Sequence, residues 1–179
     1  MSKQIAIAFA LLLAAPPAWA APGVLTEFVL ERGGNLESLQ NERILIRYDG
    51  RVVYERGRAV TRKDAQYGTV TDGVCERYTW SIETKGLDEF RAVVDNAGLA
   101  ALKPSYHRPG VEDGSQAGLL AIFTDVAVVS RFDNEFPPAY RAVSEYLTST
   151  VLKDVEKKRT TSRCDFATWL FIRPPNDRR

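Results

Sequence analysis

The sequence predicts an α+β fold in which an antiparallel sheet of about five to six strands carries two helices packed on one face. Three observations lead to this expectation. Two β-rich runs flank Asp49-Gly50, a second pair of apolar runs meets near Thr124-Asp125, and one helical pattern follows each of these regions. Hairpins that alternate with single helices build two-layer domains, with the helices covering one face of the sheet.

The first twenty residues have the form of a cleavable secretory signal peptide. Lys3 supplies the positive charge, Ile5–Ala15 is an uninterrupted apolar run, and Ala18-Trp19-Ala20 fits the small-x-small rule for cleavage after Ala20. The apolar run is too short for a membrane anchor, which needs about 20 residues. Its high alanine content indicates a bacterial source, so we expect a periplasmic or secreted protein.

The mature chain is then predicted to be one α+β domain over residues 21–172, followed by a disordered tail over residues 173–179. The full chain has 24 basic and 23 acidic residues, and loss of Lys3 with the signal peptide makes the two counts equal. A nucleic-acid-binding protein needs a basic footprint, so we expect no nucleic-acid partner. No later segment is apolar over enough residues for a membrane span.

The N-terminal half of the domain is predicted to consist mostly of strands. Val24–Leu30 forms the first strand, and Asp49-Gly50 is a strong two-residue hairpin turn, which would pair Ile46 with Val53. Residues 57–75 are polar and are expected to form a long excursion with one short strand.

Residues 78–83 alternate between apolar and polar side chains, which predicts a half-buried strand. Tyr78, Trp80 and Ile82 lie on its apolar side. We therefore expect Trp80 in the core, and the alternative is an aromatic surface that faces a ligand.

Both helices are predicted from apolar side chains at helical spacing. The first pattern ends at Gly98, which suits the left-handed residue after a helix, and the second begins near Pro137-Pro138. Between them, residues 106–116 are expected to form a loop, and the continuously apolar hairpin over residues 119–132 is expected at the centre of the sheet. The predicted buried stripes are Leu87, Phe90, Val93, Val94 and Ala97 in the first helix and Tyr140, Val143, Leu147, Val151 and Val155 in the second.

Cys75 and Cys164 are the two cysteines of the chain, and we expect them to form one disulfide in an oxidising compartment. The alternative is two separate free thiols. Because His107 is the single histidine, these residues cannot complete a zinc site, and no metal is expected. Residues 164–172 are largely apolar and are expected to form a last strand or a docked arm.

The loop over residues 106–116 contains the residue types of a hydrolase triad, His107, Asp113 and Ser115. A triad needs a supported nucleophile and a buried carboxylate behind the histidine, and Ser115 lacks the G-x-S-x-G elbow. We therefore expect no catalytic residue here, and we interpret Tyr106, His107 and Asp113 as a surface loop. The chain has no phosphate-cradling glycine loop and no calcium-loop pattern, so no cofactor is expected.

Several of these motifs follow one another in a definite order. ERILIRYDGRVVYER comes first, then a helix that ends in Gly98-Leu99, then Tyr106 and Asp113, and finally Pro138-Ala139-Tyr140 at the start of the closing helix. This order resembles a class of small exported bacterial domains of unknown function. The resemblance covers residues 24–152 and implies no activity, since none is established for the class.

Two function classes follow from the sequence. The first is a non-enzymatic binding module, whose sheet face or edge contacts another periplasmic protein or an envelope component. The second is a small periplasmic hydrolase centred on His107. Because no catalytic motif stands out, the binding module is the function that we expect.

Overall fold

The computed structural model describes residues 23–34, 41–64, 68–111, 114–158 and 160–161, with the backbone alone for residues 34, 58–64, 68–75 and 160–161. The predicted signal peptide, the C-terminal arm and the tail lie outside the described residues. The strands are β1 (Leu25–Gly34), β2 (Asn41–Arg47), β3 (Arg51–Asp64), β4 (Gly68–Ser81), β5 (Ser105–His107), β6 (Ser115–Phe123), β7 (Ala127–Asp133) and β8 (Thr160–Thr161). The helices are α1 (Thr84–Ala97) and α2 (Pro138–Tyr146), and α2 continues as a π-helical turn (Leu147–Val151).

The strands form one sheet in the order β5-β7-β6-β1-β2-β3-β4-β8. The α+β class is confirmed, but the sheet is mixed, because β5 runs parallel to β7 while the other neighbours are antiparallel. The described residues form eight strands and not five to six. The two edge strands, β5 and β8, are three and two residues long, and segments this short carry no readable alternation.

The centre of the sheet is occupied by β1 and β2, and not by the apolar hairpin β6–β7 as expected. The reason is that β1 pairs with β2 on one side and with β6 on the other. The hairpin β6–β7 is therefore displaced toward one edge, where β5 covers its outer strand.

The first hairpin turns at the predicted place but with one more residue in the turn. Gly50 has φ +80°, and its N–H donates to the carbonyl of Arg47 at 2.9 Å, so three residues separate β2 from β3. Ile46 consequently pairs with Val52 and not with Val53. A three-residue turn with a left-handed glycine is the next most common hairpin after the two-residue type.

Residues 57–64 and 68–75 lie in two long paired strands and not in a polar excursion. β3 and β4 are 14 residues each and pair from Arg51 with Ser81 to Asp64 with Gly68. Pairing between β2 and β3 ends at Asn41 and Gly57. Beyond this point β3 pairs with β4 alone among the described strands.

Both helices pack on one face of the sheet, and this face holds the core. Phe28 on β1 meets Phe90 on α1 edge to face, with 5.2 Å between ring centroids. Phe132 on β7 meets Tyr140 on α2 at 4.6 Å. The predicted helical stripes are buried at Leu87, Phe90, Val94, Tyr140, Val143, Leu147 and Val151.

The end of α1 agrees with the sequence, whereas Trp80, expected in the core, is only partly buried. Gly98 has φ +69°, and its N–H donates to the carbonyl of Asp95 at 3.1 Å. Trp80 is half-buried and packs against the core, and the ammonium group of Lys158 lies 5.9 Å from its ring centroid. Trp80 therefore stands at the border of the core, where one face of its ring meets a cation.

Candidate functional site

The β6–β7 hairpin carries a cluster of exposed valines. On the face of the sheet away from the helices, Val129 is 51% exposed, and its cross-strand neighbour Leu120 is half-buried. Beside the turn of the hairpin, Val126 is 43% exposed and Val24 is 60% exposed. We call these four residues, together with the half-buried Ile122, the hairpin patch.

On this face, Val129 is the exposed apolar side chain of the patch, and Leu120 and Ile122 beside it are half-buried, as Leu45 and Val53 are on the neighbouring strands. Toward the middle of the same face, Val29, Glu31 and Glu55 are each at most 1% exposed. Single exposed apolar side chains are common, but neighbouring ones mark interaction sites more often than the rest of a surface. The accessible end of the face is thus the region where a partner could gain apolar contact.

A second feature lies at the β5 edge of the sheet, where His107 faces Asp133. The parallel register pairs the two residues, and His107 Nδ1 lies 2.9 Å from Asp133 Oδ2. Both side chains are solvent-accessible. A carboxylate at Nδ1 orients the imidazole and leaves Nε2 to exchange a proton, which is the arrangement behind a general base.

The second oxygen of Asp133 is held as well. Asn134 Nδ2 donates to Asp133 Oδ1 at 2.8 Å, and Asn134 has a left-handed backbone with φ 57°. A Cβ placed on Gly114 would lie 1.4 Å from Asn134 Oδ1, so any other residue there would displace the Asn134 amide group. The sequence did not predict Asp133 as the partner of His107, because the two residues lie 26 positions apart in the chain.

Two of the three residues predicted as one surface loop are described, and the structure places them differently from each other. His107 lies in β5 and pairs with Asp133, while Asp113 lies outside the described residues. Tyr106 stacks on Phe132 with 5.5 Å between centroids, and its hydroxyl accepts a hydrogen bond from the N–H of Lys103 at 3.1 Å. Tyr106 thus anchors β5 to the core.

The third residue of the hypothetical triad, Ser115, starts β6 and is exposed. Its carbonyl accepts a hydrogen bond from the N–H of Asn134 at 3.0 Å. Among the described residues, Asp133 is the one side chain hydrogen-bonded to His107. The described contacts therefore supply an oriented imidazole without an attached nucleophile.

The predicted disulfide involves one residue whose backbone is described and one outside the described residues. Cys75 lies in β4 opposite Gly57, and Cys164 is not among the described residues. β8 brings Thr161 opposite Arg77, two residues after Cys75. The disulfide stays a prediction, and the pairing of β8 with β4 favours it.

An open groove runs along the outer side of α2, and Arg32 reaches it from the sheet. Arg32 Nη1 donates to Ser144 Oγ at 3.2 Å and to Thr148 Oγ1 at 3.1 Å, while Nη2 lies 2.6 Å from Glu42. These contacts tie α2 to β1. Phe136, Tyr140, Arg141, Ser144, Glu145, Thr148 and Ser149 line the groove.

Comparison with known proteins adds no family. No protein-family model matches the chain, and no curated protein matches it significantly. Within the described ranges, no group of three acidic, histidine or cysteine side chains could hold a metal ion. No described helix combines the length and the apolar character that crossing a membrane requires.

Proposed function

We propose that this protein is a non-enzymatic binding module, exported to the periplasm or the medium, that contacts another periplasmic protein or an envelope component through the hairpin patch. The observation that carries the proposal is the exposure of Val126 and Val129 on the β6–β7 hairpin and of Val24, whose carbonyl accepts a hydrogen bond from the N–H of Thr124 at the hairpin turn. A partner that covered these side chains would remove apolar surface from water, which is the main favourable contribution to protein association.

The surroundings of the patch also support a role in binding. Arg131 follows Val129 on the same face of β7 and is exposed, and Glu27 on β1 is partly exposed beside Ile122. An apolar centre with polar residues at its margin is the usual composition of a protein–protein interface.

The test is site-specific photocrosslinking in the source cell. A photoreactive amino acid at Val126 should form one discrete adduct with a partner. The substitution Val129→Asp should abolish that adduct, because it places a charge in the centre of the apolar contact.

Tyr48→Asp is the matched control, since Tyr48 is an exposed aromatic residue, 67% accessible, at the β2–β3 turn and outside the patch. It should leave the adduct unchanged. No adduct at Val126, or an adduct that survives Val129→Asp, would reject the hairpin patch as the contact surface.

A second candidate function is a small hydrolase centred on His107. The contact between His107 Nδ1 and Asp133 Oδ2 at 2.9 Å favours it. In such an enzyme His107 Nε2 would accept the proton of a nucleophile or of water, and Asp133 would hold the correct tautomer.

This candidate is tested by a screen of ester, peptide and phosphoester hydrolysis. An activity of this chain should disappear in His107→Ala and fall strongly in Asp133→Asn, with circular dichroism spectra unchanged. Activity that is equal in all three proteins belongs to a contaminant, and the absence of any activity leaves the binding module.

A further inference from the structure

The dipeptide Glu-Arg occurs once on each of the four consecutive strands β1 to β4. The four copies are Glu31-Arg32, Glu42-Arg43, Glu55-Arg56 and Glu76-Arg77. When two such dipeptides face each other in antiparallel strands, each glutamate lies opposite an arginine, once on each face of the sheet. The observed register aligns all four copies in this way.

On the face away from the helices, the aligned residues form an outer row, Glu31, Arg43, Glu55 and Arg77. Arg43 lies between two carboxylates, with Nε 3.5 Å from Glu31 and Nη1 3.4 Å from Glu55. Arg77 Nε donates to Glu55 at 2.7 Å. Glu31 and Glu55 are fully buried, so the arginines supply the opposite charge that a buried carboxylate requires.

On the helix face, the aligned residues form an inner row of opposite sign, Arg32, Glu42, Arg56 and Glu76. Arg32 Nη2 lies 2.6 Å from Glu42, and Arg56 Nε donates to Glu76 at 2.7 Å. Arg56 also binds Glu156, which follows α2 in the chain. The inner row thus lies at one border of the core. Through Arg56 and Glu156 it also connects the sheet to the segment that follows α2.

Apolar patterning alone does not fix the register of these strands. Phe28 and Leu30 on β1 face the helices, as do Ile44 and Ile46 on β2. A slip of one residue moves one strand's apolar side chains to the wrong face, but a slip of two residues leaves every apolar side chain on its own face.

The charged rows distinguish the two-residue slip from the native register. In one direction the slip places Glu31 opposite Leu45, and in the other it places Leu30 opposite Glu42. Either slip removes Arg43 from its place opposite Glu31 and so separates the buried carboxylate from the guanidinium group that faces it in the native pairing. The penalty falls on the slipped state, so the rows favour a single register.

The connections between strands show where this selection matters most. Three residues join β2 to β3, and three residues lie between the ends of β3 and β4, so short connections constrain both registers. Six residues, 35–40, separate β1 from β2. We infer that the outer and inner rows are a register-selecting device, which sets the pairing of the central strand β1 with β2.

The test reads cross-strand NMR contacts between backbone Hα atoms of β1 and β2. The neutral variant E31Q/R32Q should populate a second register, with contacts from Leu30 to residue 42 in addition to the native contact to Ile44. The variant E31R, which sets a second guanidinium group against that of Arg43, should lose the native contacts of this pair. Native contacts alone in E31Q/R32Q would overturn the inference.

Inversion of the complete outer row separates register selection from a need for particular residues. The variant E31R/R43E/E55R/R77E restores alternation with reversed sign, and it should regain the native β1–β2 contacts that E31R loses. Failure of this variant to regain them would overturn the inference even if E31Q/R32Q did not fold. K85E/E89K inverts an exposed ion pair on α1 and is the matched control, which should leave all contacts in place.

Discussion

The hydroxyl of Tyr54 donates a hydrogen bond to the carboxylate of Glu42 at 2.6 Å, across the strands β2 and β3. Burial of the phenol, together with this hydrogen bond and the negative charge of Glu42, raises the pKa of Tyr54 well above its ordinary value of about 10. The phenol in the folded protein therefore keeps its proton in alkaline solution.

This relationship predicts a loss of stability at alkaline pH. Below about pH 10 the phenol is protonated in both states, so its contribution is fully present. Above that pH the unfolded chain releases the proton while the folded chain retains it, and the free energy of unfolding falls with rising pH. In urea titrations, Tyr54→Phe should cost about 1–2 kcal/mol at neutral pH and show a shallower alkaline fall. Equal alkaline slopes in the two proteins would contradict this.

Trp80 should contribute to stability from its position at the border of the core. Trp80→Ala removes a large ring that packs against the core, and we expect a loss of about 3 kcal/mol in the free energy of unfolding. Lys158→Ala removes the cation above the ring and should cost about 1 kcal/mol or less. A loss of less than about 1 kcal/mol for Trp80→Ala would show that Trp80 contributes no more to stability than a surface residue.

Gly50 should be less replaceable than Gly110, although both have nearly the same left-handed backbone, with φ +80° and +81°. Alanine at either position costs about 1–2 kcal/mol for that conformation. A Cβ on Gly50 would also lie 2.6 Å from the carbonyl oxygen of Ile82, whereas nothing lies within 4 Å at Gly110. Thermal unfolding should therefore show a larger loss for Gly50→Ala, and equal losses would argue against the close contact.

Cys75 and Cys164 should be joined by a disulfide. Thiol titration of denatured, unreduced mature protein should find no free thiol. In the chain-entropy model the closed loop stabilises the fold by about 4–5 kcal/mol, so reduction should lower the melting temperature. Cys75→Ser should behave like the reduced protein, and two free thiols per chain would rule the bond out.

The signal peptide should be removed after Ala20. The observation behind this is Ala18-Trp19-Ala20 directly after the apolar run. N-terminal sequencing of the exported protein should read Ala-Pro-Gly, and Met1 on periplasmic material would contradict the cleavage.

Features set by local chemistry could be predicted from the sequence, whereas pairing between distant segments could not. Gly98 was predicted as the residue after α1, because glycine tolerates the left-handed conformation there. The turn at Gly50 was located, but a third turn residue shifted the register of β3 by one. Asp133 was missed as the partner of His107, because parallel pairing with β5 joins them through space.

The Glu-Arg repeats illustrate a different limit. Each dipeptide by itself has the composition of a solvated strand end, and nothing in a single copy indicates a buried carboxylate. The dipeptides form paired rows of charge only because the four strands lie side by side in register. In this arrangement Glu31 and Glu55 are buried. Two of the copies, Glu31-Arg32 and Glu76-Arg77, also lie just outside the strands that the sequence predicts, so the alignment appears only with the observed strand bounds and register.

The central place of β1 imposes an order of events on the growing chain. β1 is the first of the described strands to be synthesised, yet one of its two edges is completed by β6, and the hydroxyl of Thr26 bonds the carbonyl of Ile122, 96 residues later. Until that strand has emerged, the nascent chain carries its middle strand with a bare edge, which is a template for wrong pairing. A topology so dependent on remote partners folds slowly, and the chain benefits from staying unfolded, or bound by a chaperone, until nearly all of it is available.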